Sequence, residues 1–245
     1  LINYFGRLAV PLFEILSACV PSIYIDVLSP DREFAGGIDD IPIGRYNVAP
    51  GTRVLILNHR DDKIFLDPVK WGYQPAWAKE SKRPPMINAS IETVATSRMF
   101  RPLFEHGRAL VMADGWYEWK KDPVDPKIKQ PYFIYHKSHS PLFFAAISRF
   151  HPDALEVPED DGFVIVTAAS DEGLLDIHDR RPLVLEPSDA LEWLDCDTSP
   201  QRALEIAQMQ SEPPSEFQWH PVNKKVGSIR NNGFELIEPI GDPII

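Results

Sequence analysis

From Val54 to Thr167 the chain is cut into short apolar runs, none long enough for a typical helix and nearly all bounded by turn-forming residues. Val54–Leu57 and Lys63–Leu66 flank the polar turn Asn58–Asp62, and a third run follows at Val69–Tyr73. Ala109–Met112, Tyr117–Trp119, Tyr132–His136 and Leu142–Ile147 continue the series. Lys137–Ser140 reads as a hairpin turn between the last two, and Asp122–Gln130 as an inserted loop. Phe163–Thr167 is apolar at four of five positions, as a strand buried on both faces would be. Beyond residue 50, helical spacing is confined to Thr96–His106, Ser188–Asp195 and Pro200–Gln210, the last with Ser199 as its N-cap. The glycine at 107 reads as a helix stop. The tail from Phe217 to Ile237 is strand-like again and is expected to close the same sheet. The expected fold is α+β: one domain over 1–245, with an antiparallel, barrel-like sheet and peripheral helices.

Near the N-terminus Leu12, Phe13, Leu16 and Val20 recur at the spacing of an amphipathic helix. Leu16-Ser17-Ala18-Cys19 resembles a lipoprotein cleavage box, but Pro11 and Glu14 interrupt the apolar stretch. A core helix with Cys19 as a small buried hydrophobe is therefore expected. Two cysteines in 245 residues make no disulfide framework, and a reducing cytoplasm is the expected compartment. No apolar run is long enough for a membrane span.

The net charge of −11 argues against a protein that coats nucleic acid by bulk attraction. The average hides two opposite blocks. Residues 51–150 carry 16 basic and 10 acidic side chains, whereas 151–200 carry 2 and 14. In the basic block Trp71, Trp77, Trp116 and Trp119 interleave with Lys79, Lys82, Arg83, Arg98, Arg101 and Arg108. Unpaired bases stack on aromatics flanked by cations, although about half of such tryptophans are expected in the core.

Three segments carry titratable chemistry. Glu118 stands between aromatic rings in Asp114-Gly115-Trp116-Tyr117-Glu118-Trp119, surroundings that disfavour a carboxylate and suit a general acid. Ile177-His178-Asp179-Arg180-Arg181-Pro182 offers a proton-shuttling imidazole and two guanidiniums for phosphate or for Asp176 and Asp179. Asn88, after a Pro-Pro step, offers an amide that can orient a reacting group, or serves the turn itself. Neither zinc-type Cys/His spacing nor a glycine-rich phosphate loop or dinucleotide fingerprint occurs, so no metal and no cofactor is expected.

These segments resemble the SOS-response-associated peptidase (SRAP) family. The matching landmarks are Gly6-Arg7, Gly44-Arg45-Tyr46-Asn47-Val48-Ala49-Pro50-Gly51, Trp71-Gly72, Asn88-Ala89, Glu92-Thr93, Asp114–Trp119, Thr167-Ala168-Ala169, Ile177–Pro182 and Trp219-His220-Pro221-Val222. They run in family order along nearly the whole chain. The resemblance implies a protein that binds single-stranded DNA and senses abasic sites. In the family an N-terminal cysteine does the chemistry. Its α-amine attacks the ring-opened sugar aldehyde to give a Schiff base, and its thiol closes a thiazolidine cross-link. By carry-over Asn88 positions the amine, Glu118 transfers protons, and His178 acts on the sugar oxygen. Arg7, Trp77, Arg98, Trp119 and Thr167 then line the DNA path. The implied partner is single-stranded DNA, bound by a monomer in the cytoplasm or on the bacterial nucleoid, without metal, cofactor or membrane.

The sequence departs from this pattern at two positions. Phe5 occupies the place of the family cysteine before Gly6, with Leu1–Tyr4 ahead of it. Ser90 occupies that of a phosphate-contacting arginine. A chain opening on Leu1 is not an ordinary mature terminus, because methionine removal normally requires a small second residue. The expectation is a start that differs in the cell, or loss of the covalent step. Two alternatives follow from the residues: a non-covalent single-stranded DNA-binding module, or a hydrolase of small substrates or peptides working through Glu118 and His178.

Overall fold

A computed structural model describes residues 45–61, 63–151, 158, 160–170, 174, 178–209 and 211–241, together with the backbone of residues 2–4. The expected N-terminal helix, Cys19, Phe5 and Arg7 lie outside the described residues.

Thirteen strands form two sheets among the described residues. The smaller sheet runs in the order β13 (Phe217–Pro221), β8 (Lys129–His136), β7 (Gly115–Lys121), β1 (Ile2–Tyr4) and β2 (Arg45–Val48). The larger runs β11 (Arg180–Pro182), β10 (Gly162–Ala169), β9 (Leu142–Arg149), β6 (Arg108–Ala113), β3 (Arg53–Arg60) and β4 (Lys63–Lys70). To it are added β12 (Val184–Leu185) on β9 and β5 (Asn88–Ser90) on β10. Pairing is antiparallel except for β5 on β10. The α+β, mostly antiparallel expectation holds; the sheets pack face to face and do not close into a barrel.

Side-chain alternation explains the two-layer core. Trp116, Ile134, Phe217 and Trp219 of the smaller sheet join Val111, Phe144, Ile165 and Val184 of the larger in one buried cluster. Tyr117 and Phe133, one position out of phase, face the other way onto Val222, Val226, Leu236 and Ile237. The C-terminal tail thus covers the outer face of the smaller sheet. Only Phe217–Pro221 of that tail is a strand; beyond it lie short 3-10 turns over Lys224–Gly227 and Phe234–Leu236. Asn47 latches it, its Nδ2 donating to the carbonyls of Val226, Ser228 and Asn231 at 3.0–3.1 Å.

Only Asp114 separates β6 in one sheet from β7 in the other, and β8 and β9 likewise belong to different sheets. Lys137–Ser140 is therefore a turn between sheets rather than a hairpin, since β8 pairs with β7 and β9 with β6. Gly115 forms the crease: a Cβ there would meet the Ile134 carbonyl oxygen at 2.3 Å and the Phe133 ring at 2.6 Å. Val69 and Lys70 complete β4, and Trp71 and Tyr73 continue beyond it only as isolated bridges rather than as a third strand.

The helices α1 (Ala76–Glu80), α2 (Arg101–His106), α3 (Pro187–Leu194) and α4 (Pro200–Met209) lie between or after the strands. The helix expected from Thr96 begins only at Arg101, after a run of turns. Gly107 ends it at φ −133°, outside the left-handed region, so backbone approach is what demands glycine. An added Cβ would lie 2.0 Å from the Ser148 carbonyl oxygen. Ser199 caps α4 as expected, its Oγ accepting from the Arg202 amide at 3.2 Å.

Candidate nucleic-acid and proton-transfer site

The site grows out of a fork in the larger sheet. β10 pairs with β9 from Gly162 to Ile165, and the segment 180–185 then enters between the two strands. β11 pairs with β10 at Thr167–Ala169, and β12 pairs with β9 at Phe143 and Phe144. Leu183 sits at the junction, donating to the Val166 carbonyl and accepting from the Ala145 amide, both at 2.9 Å. The apolar run Leu183-Val184-Leu185 is fully buried there and anchors the charged residues just before it at the rim.

Arg180 organises that rim. Its guanidinium reaches Ser90 Oγ at 3.2 Å, Thr167 Oγ1 at 3.1 Å and the carboxylate of Glu92 at 2.8 Å. The partner is Glu92, from the turn after β5, rather than Asp179, its neighbour in sequence; Asp176 lies outside the described residues. That ion pair holds the Glu92 carboxyl down at about 2. Thr167 is buried, and its hydroxyl serves Arg180 rather than the open surface. Asn88 is exposed on β5, two residues from Ser90 and so on the same face of that edge strand.

His178 precedes β11. Its Nδ1 lies 3.1 Å from the Arg180 amide and 3.2 Å from Asp179 Oδ1, which leaves Nε2 as the ring nitrogen open to a ligand. Glu118 on β7 belongs to the other sheet, yet it interacts electrostatically with both His178 and Asp179. Two residues from buried Trp116, it shares the inward face of β7, and burial pushes its carboxyl above the usual carboxylate range. The sheets therefore bring a carboxyl with a raised pKa and an imidazole 60 positions away in sequence within electrostatic reach of each other. Such a pair can pass protons at a carbonyl or sugar oxygen.

Trp119 lies on the opposite face of β7 from Glu118, packed with the outer cluster under the C-terminal tail. Trp77 on α1 is half-buried, with the Arg98 guanidinium carbon 5.3 Å and that of Arg83 5.7 Å from its ring. Trp77 and Arg98 line a cavity of about 690 Å³ with His59, Arg60, Arg149 and Phe150, and neither Asn88, Glu118 nor His178 contributes to its wall. Trp71 and Trp116 are core residues. Arg108 is not a surface cation: it is buried, donating to the carbonyls of Phe104, Trp193, Asp195 and Thr198 and so capping the end of α3. Among the described residues no three His, Cys, Asp or Glu side chains converge as metal ligands do. No helix there is long and apolar enough to cross a membrane.

The sequence landmarks are thus split between this rim and the core, as a shared fold and a shared site would require. The family model for SOS response associated peptidase (SRAP) matches residues 33–229. The chain belongs to the SRAP family. It is 52% identical to the abasic site processing protein YedK of Escherichia coli, over 89% of this chain and 94% of that protein. It is 31% identical to the abasic site processing protein YoqW of Bacillus subtilis, over 93% and 96%. Among solved structures, a phage-related protein of Bordetella bronchiseptica superposes with a TM-score of 0.68 at 38% identity, covering 82% of this chain and 89% of that one.

Glu92 is the rim residue that the sequence left without a role. It was visible only as part of the Glu92-Thr93 landmark, and nothing local marks its partner, 88 positions away.

Proposed function

We propose that this SRAP-family chain recognises abasic sites in single-stranded DNA, with Glu118 and His178 handling protons at the exposed sugar and Asn88 orienting the reacting group. The observation that carries the reading is that His178 comes within electrostatic reach of Glu118, in a chain so similar to proteins named for abasic site processing. A half-buried carboxyl that binds its proton more tightly than usual, within electrostatic reach of an imidazole, suits the opening of a sugar ring, in which one oxygen loses a proton and another gains one. Arg180 and the Trp77–Arg98 pair supply, respectively, a cation for phosphate and a face for an unpaired base. Arg7 belongs to the same proposed path, and a single copy acting alone suffices for it.

The family's thiazolidine requires a thiol and an α-amine on one residue. Phe5 has no thiol, and its nitrogen is in a peptide bond. The chain as it stands therefore holds the abasic strand without that ring. The test is a titration of an abasic single-stranded oligonucleotide against its intact counterpart, read on native and denaturing gels. Preference for the abasic strand on the native gel, with no band surviving denaturation, is expected. Equal affinity for both strands would remove abasic recognition. A surviving band would assign the covalent step to a group other than Phe5.

A further inference from the structure

Arg180 has an occupant. Its Nη1 donates to Glu92 Oε1 at 2.8 Å and its Nη2 to Oε2 at 3.0 Å, a two-pronged arrangement that matches how a guanidinium grips a carboxylate or a phosphate. Nη2 is also fixed from behind by the Thr167 carbonyl at 2.5 Å, Thr167 Oγ1 at 3.1 Å and Ser90 Oγ at 3.2 Å. Ser90 in turn donates to Glu92. The guanidinium is thus positioned by β10 and β5, while its remaining fork is taken by Glu92.

Arg180 and Glu92 differ in how firmly they are held. The arginine side chain is 31% exposed and has four kinds of partner, whereas the carboxylate is 49% exposed and is held by Arg180 and Ser90. The carboxylate is the more exposed and less tethered member, so it is the one that a competing anion can displace into solvent. Ser90 is uncharged where the family pattern has an arginine, so the positive charge at this point of the rim comes from Arg180. The amide that holds the His178 ring belongs to the same residue, which puts the ion pair next to the proposed sugar site.

We propose that Glu92 is a built-in phosphate mimic, which occupies the anion subsite on Arg180 in the free protein and is displaced by a backbone phosphate when a strand binds. The inference rests on the single-strand reading above and adds to it an internal competitor that lowers affinity for any strand. Only ligands with further contacts, such as those at an abasic sugar, then bind well.

The experiment uses the full chain and its Glu92→Gln, Arg180→Gln and double variants. Each is titrated with fluorescent intact and abasic single-stranded oligonucleotides over a range of salt. Glu92→Gln keeps the shape and removes the charge, so it should tighten binding of the intact strand about three- to ten-fold at low salt. It should also steepen the salt dependence by up to about 0.7 in log–log slope, because no expelled carboxylate is left to hold a counterion. In the Arg180→Gln background the same change should gain nothing. An equal gain in both backgrounds would make Glu92 a general repulsive charge, and no gain or a loss would make it a positioning partner of Arg180. Either result overturns the proposal while leaving the single-strand reading intact. If the unaltered chain binds neither strand, the single-strand reading falls instead.

Discussion

Glu118 and Trp119 are neighbours in sequence and face opposite ways, and that single step of strand period separates the group proposed to react from one that packs. Burial raises the carboxyl of Glu118, so its acid form persists to higher pH than that of an ordinary glutamate. Any step that needs Glu118 as a proton donor is present at low pH and is lost as pH rises through this raised pKa. Replacement by glutamine, Glu118→Gln, should slow opening of the bound abasic sugar, read as capture of its aldehyde by added hydroxylamine, by about 10²- to 10⁴-fold and leave binding of intact strands unchanged. Single-turnover rates beside equilibrium binding check this, and a matching loss in binding would make the residue a structural one. A raised pKa is what a carboxyl among aromatics leads one to expect, and the sequence already offers His178 as its companion; that the two come within electrostatic reach across 60 positions follows from how the sheets stack. Arg108, by contrast, reads as a surface cation beside tryptophans and is in fact a buried helix cap.

At the scale of the element, strand identity followed from the apolar runs, and pairing did not. Period and turn residues place β3, β4, β6, β9 and β10 closely, because each run carries its own alternation or its own apolar block. Local sequence is silent on the bend at Gly115 that sends one continuous stretch from the larger sheet into the smaller. A hairpin between β8 and β9 was the natural reading for the same reason: a polar tetrapeptide between apolar runs looks alike whether or not its flanks pair. Gly115→Ala tests the crease. The added methyl would press on the Ile134 carbonyl oxygen and the Phe133 ring, and a loss of about 1–3 kcal/mol or more is expected. Urea unfolding should show a lower midpoint with an unchanged slope. An unchanged midpoint would mean that the crease yields freely and that glycine is not required there.

Across the whole molecule the acidic excess leaves a mark on stability. Glu212 lies beside the β12 edge, where Val184 accepts from its amide, and its carboxyl is pushed up to about 7. Burial is the main cause, followed by the charges of Glu186 and Glu216, with Arg181 opposing them. A carboxyl whose folded pKa is raised binds its proton more tightly in the folded state. Its contribution is therefore complete below the unfolded pKa, near 4.5, and is lost as pH rises through about 7. Thermal unfolding should show Tm falling between pH 5 and 8, by an amount equivalent to at most about 3 kcal/mol from this group. Glu212→Gln should flatten that part of the profile. Persistence of the full slope in the variant would place its origin elsewhere.

The division of labour between chain and fold has a physical basis. Short apolar runs, turn residues and helix spacing are local properties, and from them the sequence by itself determined an α+β chain with a mostly antiparallel sheet. The landmarks determined its family, and the sequence alone offers Asn88, Glu118 and His178 as candidate reactive groups and shows Phe5 where the family has a cysteine. The tertiary structure alone decided which of these groups meet. Contacts between the two sheets, and those made by the segment that enters the fork between β9 and β10, depend on how whole layers stack, and stacking leaves no periodic trace in the chain. That is why Arg180 found Glu92 rather than neighbouring Asp179, and why Glu118 comes within electrostatic reach of His178 while Trp119 faces away.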